Sequence, residues 1–427
     1  TAPQAAELTV DPAGGADFDT VAAALEEAVS GDVVRLAAGV YAASVNDEVF
    51  PLSPPPGVTL AGQGAGQTIL DGEYEQGLLD VQWTDGEPVT VRELTLTRGE
   101  APADGSGDVI YLWQAQARLE AVAIEANGDP TLPDLPWNMD AWIDVRSSEL
   151  TVVDTVVAGN HGSHAGMECD HSEITLERVT FEGNYCYYAL VALSENCDGA
   201  LADLTLLDND GGNCEVALLD AGPAEVTNLL AAGNDVGPCR LVGGTQLVHA
   251  TVVDNRAQGV LPLIEVDRLG HSIVAHNSGG VRIGHLGHAA YNNLYGNADG
   301  GWLDKDRTGM DGNQAVDPRF VEVSDEGGAR DLHLAADSPL RDAGGDELTT
   351  PTDIEGNARP IDGDGDGTAI PDPGCYEHAT VAGDDDDSAG DDDDDGCGCT
   401  QTAPTRAGPM GLLALLATLV HRHRRRG

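Results

Sequence analysis

The chain has 427 residues, 73 acidic against 21 basic side chains, and a formal net charge of −52. A surface this negative repels phosphate backbones and anionic lipid, which argues against a nucleic-acid-binding role. A hydrophobic fraction of 41% is enough for a core and excludes wholesale disorder, while 54 glycines and 4% aromatics indicate a long, Gly-rich, mostly β repeat chain.

Residues 1–50 read as an N-terminal cap with the first strands. Phe18-Asp19-Thr20-Val21 opens an amphipathic stretch that runs through Val29. The β-rich phrases Gly31–Leu36, Gly39–Tyr41, Val58–Gly62 and Thr68–Gly72 follow. No signal peptide is visible and the first residue is Thr1, so a leader is expected to have been removed before the numbering begins.

Residues 51–335 are expected to wind as coils. A phrase of β-branched and apolar residues ending in asparagine recurs, with Asn127, Asn160, Asn184, Asn209, Asn234, Asn255, Asn277 and Asn297 as its last residues. The mean interval is about 24 residues, the range of solenoids in which one short unit stacks on the next. Aligned on the asparagine, the position three before is always apolar: Ile124, Val157, Phe181, Leu206, Ala231, Val252, Val274 and Leu294. The position five before is apolar apart from Thr155 until Ser272 and Asn292, and the position eight before is apolar throughout. Alternation marks strands with one inward face, and the odd difference between offsets eight and five demands a bend between them. The asparagines themselves suit corners, where each amide bonds the same amide of the next coil.

The position six before the asparagine holds Ala121, Asp154, Arg178, Asp203, Asn228, His249, His271 and Tyr291. It reads as an outward polar ladder, with Arg178 between Asp154 and Asp203 and His249 on His271, worth under ~1 kcal/mol per pair. A binding stripe is the alternative. Cys214 and Cys239 each lie five residues after their asparagine, so stacking predicts a Cys214–Cys239 disulfide. Spacing assigns no partner to Cys169, Cys186, Cys197 or Cys375.

The interval from Asn127 to Asn160 is 33 residues, so a loop is expected between Gly128 and Ser148. It carries Trp137, Asp140, Trp142 and Asp144; the next coils add His161, His164, Glu168, Asp170 and His171, then Tyr185, Tyr187 and Tyr188. Rings flanked by carboxylates suit saccharide stacking, for which Trp137, Trp142, Asp144, Tyr185, Tyr187 and Tyr188 are the candidates. Asp170, His171 and His164 are the candidates for acid/base work or a metal. Packing of the tryptophans onto the helix flank is the structural alternative.

Residues 336–378 read as a C-terminal cap. In it, Asp362, Asp364 and Asp366 alternate with glycines, matching the first half of an oxygen-ligand Ca²⁺ loop. Thr368 would add a carbonyl, but the twelfth position is Pro373, with Asp372 one residue early. An ordinary acidic turn is the alternative. Residues 379–406 form an acidic spacer, Asp384–Asp387 and Asp391–Asp395, with the pair Cys397 and Cys399. Residues 407–427 combine an apolar stretch, Ala407–Val420, with the basic cluster His421–Arg426. Its 14 residues make ~21 Å of helix, short of a usual span, while the trailing arginines fit a body held outside the membrane.

Two resemblances follow from these residues. The order from Gly396 to Gly427 resembles the Gly-Cys, transmembrane, Arg-Arg-Arg sorting tails of myxobacterial-type surface proteins. That implies export, a processing protease acting near Cys397 or Cys399, and attachment at the outer cell surface. The helix-then-strands opening, the coils and the closing phrase Asp353–Pro360 with Asp372–Glu377 resemble pectin-lyase-like proteins. This family is an all-β, right-handed parallel β-helix with a capping helix, and one such scaffold hosts lyases, hydrolases, epimerases and non-enzymes. Its pectate-type lyases need a basic proton acceptor beside calcium-binding carboxylates, whereas Lys305, the one lysine here, falls after the last clear coil. The Gly-His-Gly and Arg-Ile-Lys phrases of its polygalacturonase-type hydrolases do not occur. The sequence therefore leans toward a monomeric, surface-anchored binding or structural module for polysaccharide. The alternative is a polysaccharide lyase or glycoside hydrolase with its site near residues 137–188.

Overall fold

A computed structural model describes residues 5–378 except 101–107, 129–140, 163–164, 194–195, 213–215, 260, 299 and 324–329; for residues 285–286 it describes the backbone only. The chain winds as an all-β parallel β-helix of about ten turns, as the repeat predicts. Each turn contributes a strand to three parallel sheets, named here in the order the chain visits them. In one coil the lead sheet holds Ala165–Asp170, and the single bent strand Glu173–Glu182 serves both the middle and the trailing sheet. The next coil stacks on it in register, so Phe181 lies on Leu206 and Leu176 on Leu201. Phe181 and Leu206 are each 1% exposed, and one continuous core runs from Val10 to Leu294.

The bend expected between offsets eight and five is present at one position of the repeat. Ala121, Asp154, Arg178, Asp203, Asn228, His249, His271 and Tyr291 all have φ between 47° and 58°, the left-handed region. One such residue reverses the side-chain parity and turns the chain from the middle to the trailing sheet. The asparagine corner that follows is a continuous ladder. In each pair from Asn127 to Asn297, the main-chain N–H of one asparagine donates to Oδ1 of the next. Its Nδ2 donates to that oxygen and to a carbonyl of the preceding coil, as Asn209 does to Asn234 and Phe181. A second ladder, Ser272–Asn292–Asn313, occupies the other corner, which explains why the inward column turns polar in its last two copies.

The amphipathic stretch at the start forms the helix Val21–Glu27, two residues shorter than Val29. Its N-terminal amides at Val21 and Ala22 donate to the Glu48 carboxylate, at 2.7 and 2.9 Å. Val21, Ala24 and Leu25 are buried on the first strands, covering apolar surface that an uncapped solenoid end would expose.

After the last coil the chain folds back over the outside of the trailing sheet. The antiparallel pair Phe320–Glu322 and Asp331–Leu334 belongs to apolar clusters with Ala232, Val253, Ile273 and Ala275. The outward ladder is thereby half covered. Arg178 does pair with Asp154 at 2.6 Å, and His249 does stack on His271 at 4.7 Å between ring centroids. Both histidines, however, are 0% exposed under residues 345–374, so this part of the column faces protein rather than water. Arg359 of the same segment forms a fully buried ion pair with Glu377 at 2.8 Å.

Cys169 pairs with Cys197. Cys239 is also disulfide-bonded; Cys214, its expected partner, lies outside the described residues. Cys186 and Cys375 are free and buried. The acidic spacer, Cys397, Cys399 and the apolar tail likewise lie outside the described residues.

Candidate functional site

The outer face of the lead sheet gathers the polar and aromatic groups. Register sets Asp80, Tyr111, Asp144 and Glu168 in one file, and Gln82, Trp113, Arg146 and Asp170 in the file beside it. These files exist because alternate residues of each strand point outward while Val81, Leu112, Val145 and Cys169 fill the core. Trp83, in the left-handed corner after the first of these strands, lies against Trp113 with ring centroids 5.5 Å apart. The two rings are 52% and 41% exposed, large for tryptophan. They form an open aromatic platform running along the helix axis.

One coil further lies a carboxylate site. Asp144 is 1% exposed, and its Oδ2 accepts both Nε and a terminal N–H of Arg146, at 2.7 and 2.6 Å. Its Oδ1 is buried and has no hydrogen-bond partner among the described residues. Burial raises the Asp144 pKa, Arg146 opposes the rise, and the Glu168 charge adds to it. At the start of the same strand region, Asp108 Oδ1 accepts the Ala141 N–H at 2.9 Å. Beside them, burial raises the pKa of the Tyr111 phenol.

The residues expected from the sequence are distributed differently. Trp142 does not present a ring for stacking: it is 3% exposed and part of the core. Its indole lies over Gly162 and Gly166, where an added Cβ would come 2.7 and 2.8 Å from the ring system, so the glycines make the room it fills. Tyr185 stacks on His161 at 4.6 Å, and Tyr187 and Tyr188 are half-buried. Asp170 and His171 are exposed and pair at 2.6 Å. Trp137 and His164 lie outside the described residues. Trp83, Trp113, Tyr111 and Asp108 escaped the repeat alignment because their coils precede Asn127. A usable signal was the tryptophan closing two successive strands, Leu79–Gln82 with Trp83 and Ile110–Trp113.

A second acidic cluster sits in the C-terminal cap. Ligand oxygens of Asp342, Asp362 and Asp364 lie within 4.8 Å of one another. Asp342 accepts amides of Gly363 and Asp364, and Asp362 accepts those of Gly365 and Gly367, which wraps the loop around the carboxylates. An all-oxygen set with lone pairs to spare fits a hard divalent cation. Of the expected ligands, Asp366 and Thr368 are joined to each other, with Thr368 N–H donating to Asp366 at 2.8 Å. The Asp372 carboxyl is 1% exposed and takes the amides of Asp342 and His378, so it braces the loop from inside. Asp342, twenty residues upstream, carried no local signal.

Residues 9–91 match a family model described as a protein of unknown function (DUF1565). No curated protein matches the chain. Among solved structures it is similar to pectate lyase Pel9A, at 14% identity over 88% of this chain and 97% of that one, with a TM-score of 0.44. It is also similar to the A-module of the Azotobacter vinelandii mannuronan C-5 epimerase AlgE6, at 15% identity over 70% and 93%, with a TM-score of 0.37. A mannuronic acid-specific family 6 polysaccharide lyase from human gut microbiota gives 12% identity over 73% and 91%, with a TM-score of 0.30. At these identities the similarity is one of winding alone.

Proposed function

We propose that the protein is an exported β-helix that binds polysaccharide along the lead sheet and is anchored at the cell surface through its C-terminal segment. The observation that carries the binding is the Trp83–Trp113 platform. Two large apolar rings, open to solvent on consecutive coils, cost free energy unless a ligand covers them, and Gln82 and Arg146 stand beside them as donors for hydroxyls. The ring spacing follows the coil repeat, so the platform suits an extended, repeating ligand rather than a compact one. Anchoring rests on the order of spacer, cysteines, apolar stretch and arginines read from the sequence. A Ca²⁺ ion held by Asp342, Asp362 and Asp364 completes the reading as a brace on the C-terminal cap, remote in sequence from the platform.

A glycan array probed with the protein tests the binding. At least one polysaccharide should be retained, and Trp83→Ala or Trp113→Ala should weaken it about tenfold each, equivalent to about 1.4 kcal/mol. Both rings are surface groups, so the variants should melt with the parent. An array with no retained glycan refutes the reading.

A further inference from the structure

The tryptophan platform continues as a track whose chemistry narrows what can lie on it. Gln82, Trp113, Arg146 and Asp170 stand in register on four consecutive coils, so the outer face offers one side chain every ~4.8 Å along the axis. Each polar member is held by a neighbour and still has bonding capacity to spare. Gln82 donates to Asp80 at 2.8 Å, which leaves its amide oxygen as an acceptor. Arg146 spends Nε and one terminal nitrogen on Asp144, and its other terminal nitrogen has no partner among the described residues. Asp170 gives one carboxylate oxygen to His171 at 2.6 Å, and its side chain remains 57% exposed. The rings of Trp83 and Trp113 are turned 38° from each other, so a flat object cannot lie on both.

Building on the binding reading, we propose that the track holds a single chain of a neutral, 1,4-linked polysaccharide, laid parallel to the helix axis with one sugar per coil. A pyranose linked through opposite ends of its ring advances by about one ring length, close to the ~4.8 Å coil repeat, so successive sugars meet successive coils. A 1,3 linkage bends the chain and carries it off the file within a few units. Two sugars stack on Trp83 and Trp113, the third faces the unpaired nitrogen of Arg146, and the fourth donates hydroxyls to the Asp170 carboxylate. Neutrality follows from what flanks the track. Asp80, Asp144 and Glu168 lie in the adjacent file, the Arg146 charge is compensated by Asp144, and the whole chain carries −52. A polyuronate would bring a carboxylate of its own toward these at every unit. The tilt between the two indoles selects a single chain, whose successive rings can turn, over the flat face of a crystalline bundle.

The test titrates the whole protein by calorimetry with soluble 1,4-linked oligomers of glucose, xylose and mannose, two to six units long. Oligomers of 1,3-linked glucose, 1,4-linked polyuronates and crystalline cellulose are the comparisons. In at least one neutral 1,4 series, affinity should rise about threefold or more with each unit up to four and level off beyond. Trp113→Ala should weaken every length, whereas Asp170→Ala, a change at an exposed side chain, should remove the gain between three and four units. Tighter binding of a polyuronate, of 1,3-linked oligomers or of crystalline cellulose overturns the proposal and leaves the binding reading standing. So does an affinity that ignores length, or an Asp170→Ala loss equal at two and four units. Retention of no glycan at all overturns both.

Discussion

At the scale of single residues, the asparagine ladder shows how little of the stacking is left to apolar packing alone. Asn209 satisfies four groups at once: it receives the N–H and the Nδ2 of Asn184 and donates to Phe181 O and Asn234 Oδ1. Removing it would strand the Asn184 amide and the Phe181 carbonyl in a site that is 1% exposed. Each stranded group costs ~1–3 kcal/mol, so Asn209→Ala should lose about 2–4 kcal/mol in urea unfolding. Asn297, 8% exposed near the last coil, should cost less when changed in the same way. Equal losses at the two positions would show that the ladder is not what holds the corner. These asparagines were legible in the sequence because they repeat at the coil period. Trp142 was misread for the opposite reason: nothing local to it reveals that Gly162 and Gly166, a coil away, leave a slot for its ring. Asp342 was invisible as a cap residue because its partners at 362–364 are adjacent only after the chain has folded back.

At the scale of elements, the C-terminal segment explains both what the repeat predicted and what it could not. The column two before the asparagine runs Glu125, Ala158, Glu182, Leu207, Ala232, Val253, Ala275, Tyr295, polar early and apolar late. Only the late coils lie under Phe320, Leu332 and Leu334. The sequence records the cover as a change of composition, without saying what covers it. The same segment sets a pH dependence. His271 sits between His249 and Tyr291, at 4.7 and 5.0 Å between centroids. It accepts the Gly345 amide at Nε2 and donates from Nδ1 to Leu348 O, the pattern of a neutral ring. Burial depresses its pKa to about 4, against ~6.5 unfolded, and burial and Arg359 also hold His249 well below the usual range. Below pH ~6.5 the unfolded chain therefore binds more protons than the folded one, and the stability from the neutral ring is lost as pH falls toward 4. Asp372 has the opposite sign: burial raises it to about 7, so its contribution is present at low pH and lost as pH rises toward 7. Comparing the parent with His271→Gln cancels the Asp372 share. The parent should lose more stability than the variant between pH 6.5 and 4.5, read by hydrogen exchange at residues 345–374. Parallel profiles would mean that the ring is not held neutral.

At the scale of the whole molecule, the charge opposes the fold that displays it. Many of the 73 acidic groups lie on a solenoid whose in-register stacking places like charges one above another, as in the file Glu149, Glu173, Asp198. Carboxylates directly opposite each other on neighbouring strands are destabilising, and at low salt the wider field adds to this because the Debye length exceeds the coil spacing several-fold. The melting temperature should therefore rise as sodium chloride is raised from about 10 to 150 mM, where the Debye length shortens from ~30 to ~8 Å. That rise is also the background against which a calcium site must be judged. Any divalent salt screens the whole surface, whereas an ion held by Asp342, Asp362 and Asp364 stabilises through one place. In 150 mM sodium chloride, adding calcium chloride at about 1 mM changes the ionic strength little, so screening predicts almost no further shift. A specific ion predicts a clear rise in melting temperature, a smaller one with magnesium, whose octahedral demands a shallow three-carboxylate loop meets poorly. Asp342→Asn should abolish the calcium increment and leave the sodium chloride response intact. An increment that survives Asp342→Asn, or that magnesium reproduces in full, would assign calcium to the diffuse acidic surface instead of the cap.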